Sequence, residues 1–353
     1  MIIENNNEIW KIATIDMWNR KIVSWTAVSV AFLVSVISCG SKSGGGEANV
    51  EEKRPKSEVQ VPAFNADSAY QFIQAQADFG PRVPNTTAHR ACGDYLAAQL
   101  ERFGAQVYNQ QADLMAFDNT LLKARNIIGV FNPDSRKRVM LCAHWDSRPF
   151  ADYDEDPAKQ RKPILGVNDG ASGVGVLLEV ARQLQRQAPA IGIDILFFDA
   201  EDYGTPAFHK GEYKENTWCL GSQYWGRVPH VSNYNARYGI LLDMVGGKGA
   251  TFYQELFSKR TAGKQMKKIW DAAHQLGFGQ YFPKRDGTEV TDDHVYVYQL
   301  QKIPCVDIIN YDPEGDTGFG DFWHTSGDTM EVIDRATLQA VGQTLLYVIY
   351  HEE

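Results

Sequence analysis

Acidic residues and histidines follow several short apolar runs of this chain, each at the point where a buried strand would end. Such residues after three of the runs are His144, Asp146, Glu201, Asp202 and Asp243. In an open α/β sheet, ligands bind at the carboxyl ends of the strands, so we expect these side chains to converge. Zinc readily takes imidazole nitrogen and carboxylate oxygen. The pattern therefore predicts a metal site at one end of a central sheet.

Three further motifs carry residues of the same types. They are Asp169 within Asn168-Asp-Gly170, the run Asp292-Asp293-His294, and the pair Trp323-His324. Taken singly, each acid is more typical of a turn or of a helix cap. Burial of Asp243 and Asp292 without partners would be costly, whereas burial near a cation would explain both. The joint pattern therefore favours a functional site.

A catalytic zinc keeps three protein ligands and one open coordination position. Asp169, Asp202 and His324 would supply that set. Glu201 immediately precedes Asp202, so one side chain can bind the metal while its neighbour points towards bound substrate as a base. The role of the motif His144-x-Asp146 stays open, since it can hold a second zinc or orient its neighbours.

Strand-like and helix-like segments alternate along the chain and would position these residues. The predicted strands are 125–131, 138–143, 193–198, 239–245 and 304–309, and the predicted helices are 66–79, 86–103, 171–187, 260–276 and 335–351. The alternation predicts an α/β fold, a mixed and mostly parallel central sheet with helices on both faces, in a single domain. Residues 148–165, rich in Asp, Pro and Lys, are predicted to form a surface loop.

The N-terminal part predicts export from the cytoplasm. Arg20 and Lys21 precede an apolar run, 22–37, which suits a signal-peptide core better than a membrane span. The run ends at Cys39 in a sequence that resembles a bacterial lipobox, so residues 1–39 are predicted to be a lipoprotein signal peptide. The alternative is an uncleaved anchor helix, and Met17 is a candidate for the true start. Lipidation of Cys39 would anchor the protein to a membrane of the bacterial cell envelope, facing the periplasm or the surface.

The rest of the chain divides at about residue 62. Residues 40–61 are small, polar and charged, which predicts a flexible tether, and 62–353 are predicted to form the catalytic domain. The net charge of −9 and the absence of a long basic run argue against a nucleic-acid partner. Four cysteines follow Cys39 and could pair in an oxidising compartment, but Cys142 and Cys305 lie in apolar runs typical of buried thiols.

The order of these motifs resembles the di-zinc aminopeptidase superfamily over residues 65–352. The motifs in question are His144-x-Asp146, Asn168-Asp169-Gly170, Glu201-Asp202, Asp243 and His324. Within that superfamily, three features are similar to the glutaminyl cyclase (glutaminyl-peptide cyclotransferase) branch. These features are Phe197-Phe-Asp-Ala-Glu-Asp202, Asp292-Asp293-His294 and Phe322-Trp323-His324-Thr325.

The resemblance implies conversion of an N-terminal glutamine of peptides or proteins into pyroglutamate, with release of ammonia. It implies one zinc ion per chain, bound by Asp169, Asp202 and His324, and Glu201 as the proton-transfer residue. The other implied site residues are Asp243 and Asp292 in a hydrogen-bonded acid network, and Trp323 and Trp218 as walls of the substrate pocket. The animal enzymes have Glu where this chain has Asp202, which leaves the ligand role intact but alters its fine geometry.

Two other functions compete with this interpretation. In a di-zinc aminopeptidase, His144 and Asp243 would bind a second metal, Asp169 would bridge, and Glu201 would activate water. The intact His144-x-Asp146 pair favours this function, whereas Trp323 and the run 292–294 disfavour it. A non-catalytic envelope lipoprotein that keeps the fold as a binding module would have lost a ligand or Glu201, and every such position is filled.

Overall fold

The computed structural model describes residues 59–212 and 214–353; the predicted signal peptide, Cys39 and most of the predicted tether lie outside this part. The helices are α1 (Ala66–Ala77), α2 (Thr87–Arg102), α3 (Ala171–Arg186), α4 (Leu220–Arg227), α5 (Leu256–Gln275), α6 (Asp293–Gln301) and α7 (Arg335–Tyr350). The strands are β1 (Gln106–Met115), β2 (Leu121–Phe131), β3 (Arg138–His144), β4 (Gly192–Phe198), β5 (Gly239–Asp243) and β6 (Cys305–Ile309). One short 3₁₀ helix spans Met330–Val332.

The strands form one sheet in the order β1-β2-β4-β3-β5-β6. Strands β3 to β6 are parallel to their neighbours within that group, whereas β2 is antiparallel to both β1 and β4. The mixed, mostly parallel sheet predicted from the sequence is therefore confirmed. The chain leaves β3 for β4 on one side and returns to β5 on the other side of β3. Such a reversal opens a crevice at the carboxyl ends of the strands, where ligands bind in this class of fold.

Helices cover both faces of the sheet, as predicted. Alternate residues of β3 show why: Val139 and Leu141 belong to the larger core with α3, α5 and α7, whereas Met140 and Cys142 belong to a second core with α4 and α6. All four side chains are fully buried, which is typical of parallel strands covered on both sides. Among the described residues, no helix is long and apolar enough to cross a membrane.

The four cysteines of the described part are free thiols, and all are buried. Cys142 and Cys305 lie in the second core, as their apolar surroundings in the sequence predicted. Burial away from solvent is the ordinary environment of a structural thiol.

The main departures from the predicted elements are three omissions and two early starts. No element was predicted for β1, α4 or α6. Strand β2 begins at Leu121 and helix α5 at Leu256, each four residues before the predicted start. Strand β1 lies at the edge of the sheet, so its side chains are half-exposed and mostly polar. Glu255 caps α5 by accepting hydrogen bonds from the backbone of Phe257 and Ser258.

The segment 148–165 lacks helix and strand, but the prediction of a surface loop is wrong for its beginning. Arg148 is completely buried and Asp152 is only 6% exposed. The two side chains form an ion pair inside the protein, and mutual neutralisation is what allows charged residues to be buried. Asp154 is also buried, at 7% exposed, whereas the other charged residues of the segment are exposed, as expected.

Candidate metal and catalytic site

A cavity of about 560 Å³ opens at the carboxyl ends of the parallel strands. It collects eight of the ten described residues that the sequence singled out for the site. These are Asp169, Glu201, Asp202, Trp218, Asp243, Asp292, Trp323 and His324. The other two, His144 and Asp146, are buried next to the site and do not line the cavity.

Asp169, Asp202 and His324 bring three ligand atoms together at the cavity wall. One atom of each residue lies within 4.8 Å of the others. The Nε2 atom of His324 is 3.1 Å from Asp202 Oδ1 and 3.5 Å from Asp169 Oδ2. Within the described part of the chain, Asp202 Oδ2 is buried and has no hydrogen-bond partner. Two carboxylates and an imidazole bordering an open cavity fit a catalytic zinc.

The imidazole of His324 is suited to binding a metal. Burial lowers the pKa of His324 to about 3, and the nearby guanidinium of Arg148 acts in the same direction. The ring is therefore neutral at physiological pH, and a metal binds the neutral form. The backbone of His324 is left-handed, with φ of 53°, an uncommon conformation for a residue with a side chain.

The loop before α3 holds Asp169 through its backbone. The N–H groups of Asn168 and Asp169 donate to the two carboxylate oxygens of Asp328, at 2.7 and 3.1 Å. Gly170 follows, and a Cβ atom there would lie 2.6 Å from His144 Cε1. Only glycine allows this close approach, which brings Asp169 against the histidine at the end of β3.

Asp146 orients the turn that presents Glu201 and Asp202. Its two carboxylate oxygens accept hydrogen bonds from the backbone N–H groups of Glu201 and Asp202, at 3.1 and 3.2 Å. Ala200, just before them, is left-handed with φ of 51°, so the chain turns sharply after β4. The turn places Asp202 with Asp169 and His324, and Glu201 with Cys219 and Asp292. In this geometry the Asp146 carboxylate orients the backbone of both residues.

His144 lies at the centre of the carboxylates. Its Nε2 atom is 2.9 Å from Asp169 Oδ1 and 3.3 Å from Asp243 Oδ1, and its Nδ1 atom is 3.5 Å from Asp146 Oδ1. Burial alone would lower the pKa of His144, but these carboxylates outweigh it and raise the pKa well above its usual value. His144, Asp169 and Asp243 also form a group whose spacing could hold an ion.

Glu201 is surrounded by groups that affect its protonation. Burial raises its pKa well above the usual value, His144 opposes that rise, and the carboxylate of Asp292 adds to it. Cys219 donates its thiol to Glu201 Oε1 at 3.2 Å, and the Cys219 backbone N–H donates to the Glu201 carbonyl at 2.9 Å. Burial likewise raises the pKa of Asp243 to about 7, against a hydrogen bond from His144. A carboxyl group with a raised pKa can exchange protons near neutral pH.

The two tryptophans expected at the pocket both lie next to His324. The ring centroid of Trp323 is 3.7 Å from that of His324, and the Trp218 ring is parallel to it at 5.9 Å. Gly204 makes room for Trp218, because a Cβ atom there would lie 2.0 Å from the indole. Tyr153, which is 45% exposed, packs on Trp323 at the cavity, with 4.6 Å between ring centroids.

Sequence reasoning missed four residues around the cavity: Arg148, Asp152, Tyr153 and Cys219. The first three lie in the segment predicted to be a surface loop, and Cys219 carries no motif of its own. Their roles depend on contacts with residues more than 15 positions away, such as that of Cys219 with Glu201. Periodicity and local spacing contain no signal for such contacts.

The chain is similar to a family of known proteins and to several solved structures. The model of "Peptidase family M28" matches residues 126–349. A glutaminyl cyclase from Tannerella forsythia is 61% identical over 83% of this chain and 100% of that chain, with a TM-score of 0.82. A Zn-dependent exopeptidase from Parabacteroides distasonis is 60% identical over the same shares, also with a TM-score of 0.82. Glutaminyl-peptide cyclotransferase of Bos taurus is 24% identical over 351 residues, 86% of this chain and 90% of the relative.

Proposed function

The chain belongs to peptidase family M28, and from that premise we propose that it is a zinc-dependent glutaminyl-peptide cyclotransferase. It converts the N-terminal glutamine of peptides or proteins into pyroglutamate and releases ammonia. The observation that carries this function is the 61% identity with the T. forsythia glutaminyl cyclase over the whole of that chain. The cavity supports it, because the residues that the reaction needs all border one space.

Asp169, Asp202 and His324 would bind one zinc ion. A zinc ion held there would supply Lewis-acid polarisation of the γ-carbonyl of the substrate glutamine. The three residues leave the cavity side of the group open, which is where the substrate would enter. Their neutral imidazole and two carboxylates match the donors that zinc prefers.

Glu201 would carry the proton in the reaction. The α-amine nitrogen of the substrate attacks its own γ-carbonyl carbon, a five-membered ring forms, and the bond from that carbon to the amide nitrogen breaks. Glu201 takes a proton from the attacking amine and gives it to the departing ammonia. General acid–base transfer of this kind typically contributes about 10² to 10⁴ in rate. Asp243 and Asp292 would form the surrounding acid network. Burial raises the pKa of Glu201 most, and the charge of Asp292 adds to that rise.

Trp218 and Trp323 would shape the substrate for attack. The nucleophile and the electrophile belong to one residue, so the task is to fold the glutamine side chain back onto its own amine. Both indoles lie next to His324 and line the cavity at the metal site. They also exclude the water that would otherwise compete for the polarised carbonyl.

The second candidate function is a di-zinc aminopeptidase, favoured by the group of His144, Asp169 and Asp243. We propose one zinc because Nε2 of His144 already contacts both carboxylates, at 2.9 and 3.3 Å, and because His144, unlike His324, does not border the cavity. A second ion would have to replace those contacts. Of the similar proteins, one is described as a Zn-dependent exopeptidase and another as a glutaminyl cyclase.

The test is to incubate the purified protein, with its metal retained, with a Gln-initiated peptide and to follow the products by mass spectrometry. Loss of about 17 Da as ammonia, with one zinc per chain in the same sample, is the expected result. The matched control is the same peptide with an acetylated N-terminus, which has no nucleophilic amine and should not change. Release of free glutamine, with two zinc ions per chain, would contradict the cyclotransferase and support the aminopeptidase.

We also propose that the protein is anchored to the bacterial cell envelope through lipidated Cys39. The support is sequence alone: a basic pair, an apolar run of signal-peptide length, a lipobox-like cysteine and a polar segment after it. Cys39→Ser should release the protein from the membrane fraction, with Cys92→Ser as a matched control. A Cys39→Ser variant that stays with membranes would contradict the proposal.

A further inference from the structure

Arg148 and Asp152 form a two-point ion pair inside the protein. Nε of Arg148 donates to Asp152 Oδ1 at 2.6 Å, and Nη2 donates to Oδ2 at 2.7 Å. The side chains are 0% and 1% exposed. The desolvation cost of a buried pair can match its attraction, so such a pair is weak evidence of a stabilising role. Its position beside the site suggests a different role.

The third guanidinium nitrogen of Arg148 contacts Asp202. Nη1 donates to the Asp202 carbonyl oxygen at 2.9 Å and lies 3.4 Å from Asp202 Oδ1. Aspartate has a short side chain, so its carboxylate follows any shift of its backbone. Arg148 therefore restrains the proposed zinc ligand at the backbone and at the carboxylate together. The other carboxylate oxygen of Asp202 is buried and has no hydrogen-bond partner in the described part.

The same pair contacts the pocket wall and the histidine ligand. The guanidinium carbon of Arg148 lies 4.5 Å from the centroid of the Trp218 ring, which is a cation–π contact. Asp152 Oδ1 is 3.7 Å from His324 Nδ1, and Asp152 Oδ2 accepts a hydrogen bond from the backbone of Ala207 at 2.8 Å. One ion pair thus contacts two of the proposed zinc ligands, Asp202 and His324, and the indole of Trp218.

We infer that the Arg148–Asp152 pair is a positioning device that holds Asp202 in its metal-binding place and Trp218 in its place as a wall. The inference rests on the proposed function for the roles of Asp202 and Trp218. Arg148 and Asp152 act through those two residues. Arg148 contacts two carboxylates and also stacks on an indole. A planar guanidinium can make all of these contacts at once, whereas the ammonium group of lysine cannot.

A second buried pair provides a control. Arg138 and Asp194 also form a two-point pair, through Arg138 Nε and Nη2, and their side chains are 11% and 1% exposed. Arg138 begins β3 and Asp194 lies near the start of β4, at the opposite end of the strands from the cavity. Neither residue borders the cavity. Replacement of Arg138 therefore measures how the loss of a paired arginine changes the stability of the fold, without a change at the site.

The experiment compares Arg148→Met, Arg148→Lys and Arg138→Met in the full protein. Each is stripped of metal and titrated with zinc against a chromophoric chelator, and thermal unfolding of the metal-free forms is recorded. We expect Arg148→Met to weaken zinc binding by about 10- to 100-fold, the usual effect of removing a group that orients a ligand. The zinc affinity of Arg148→Lys should lie between those of the parent and Arg148→Met, since lysine keeps the positive charge but loses the two-point guanidinium contact. Arg138→Met should lower the unfolding temperature and leave zinc affinity within about twofold.

Steady-state kinetics on the Gln-initiated peptide give a second readout. Arg148→Met should raise KM, because Trp218 loses its stacking partner, and Arg138→Met should leave KM unchanged. Zinc affinity of Arg148→Met within twofold of the parent, or an equal weakening in Arg138→Met, would overturn the inference. If Arg148→Met does not fold, Arg148→Lys and Asp152→Asn carry the same comparison. If the unmutated protein binds zinc but does not cyclise the peptide, the proposed function is contradicted. The zinc titrations would still test the inference about Arg148 and Asp152.

Discussion

Two groups of three potential ligands share Asp169, and they differ in access and in what their histidines already contact. The His324 group borders the cavity, and its Nε2 atom faces Asp169 and Asp202. In the His144 group, Asp169 and Asp243 border the cavity but His144 does not, and its Nε2 atom is within 3.3 Å of both carboxylates. A catalytic metal needs an open position, and all three residues of the His324 group border the cavity where such a position would lie.

The electrostatic surroundings of the two histidines also differ. Burial holds the pKa of His324 at about 3, whereas the carboxylates around His144 outweigh burial and raise its pKa well above normal. An ion at His144 would compete with a proton that these carboxylates favour. The difference teaches that spacing of ligand atoms alone does not identify a metal site, because the partners already present compete with the metal.

The largest expected effect comes from His324→Ala. This change removes the only imidazole of the group that borders the cavity, so zinc content should fall from one per chain to background and activity should fall with it. Metal analysis and turnover of a Gln-initiated peptide on the same preparation measure both. A variant that keeps one tightly bound zinc would place the metal in the His144 group instead.

Glu201→Gln should impair proton transfer without removing the metal. The amide has a similar shape but cannot accept and return a proton, so turnover should fall by about 10² to 10⁴. Zinc content should stay at one per chain, because Glu201 is not in the His324 group. An active Glu201→Gln enzyme would disprove the proton-transfer role.

His144→Asn should have a smaller effect. The amide loses the contacts that orient Asp169 and Asp243, so zinc affinity or activity should fall by about 10- to 100-fold. Zinc content at saturation should stay at one per chain, as measured by metal analysis. A parent with two zinc ions that falls to one in this variant would reverse the comparison and favour the aminopeptidase.

Cys219→Ala should have the smallest effect. It removes one thiol hydrogen bond to Glu201 without altering either histidine, and an ordinary hydrogen bond contributes about 0.5–1.5 kcal/mol. We expect kcat to fall by about two- to tenfold with zinc content unchanged, and Cys219→Ser to restore most of it. Equal kcat values in the Ala, Ser and parent forms would show that the thiol does not position Glu201.

The sequence predicted the parts of the site that follow from strand ends. Asp202 and Asp243 could be identified because a buried strand is a readable apolar run, and parallel strands end at one edge. It missed α6, because its alternating valines and tyrosines have no helical period, and with it the position of Asp292 as the residue that caps this helix. Arg148 was not identified as a site residue, because its contact with Asp202 joins positions 54 residues apart.

The left-handed residues at this site have a consequence for protein engineering. Ala200, Cys219, Met244 and His324 all have positive φ angles near the cavity, and each costs about 1–2 kcal/mol relative to an ordinary backbone conformation. Glycine at the first three positions would relieve that strain, but it would also delete buried side chains and let the turns relax. Attempts to make a heat-resistant form should therefore avoid these positions and start with the exposed helices. The strain held at these turns is part of the alignment they impose.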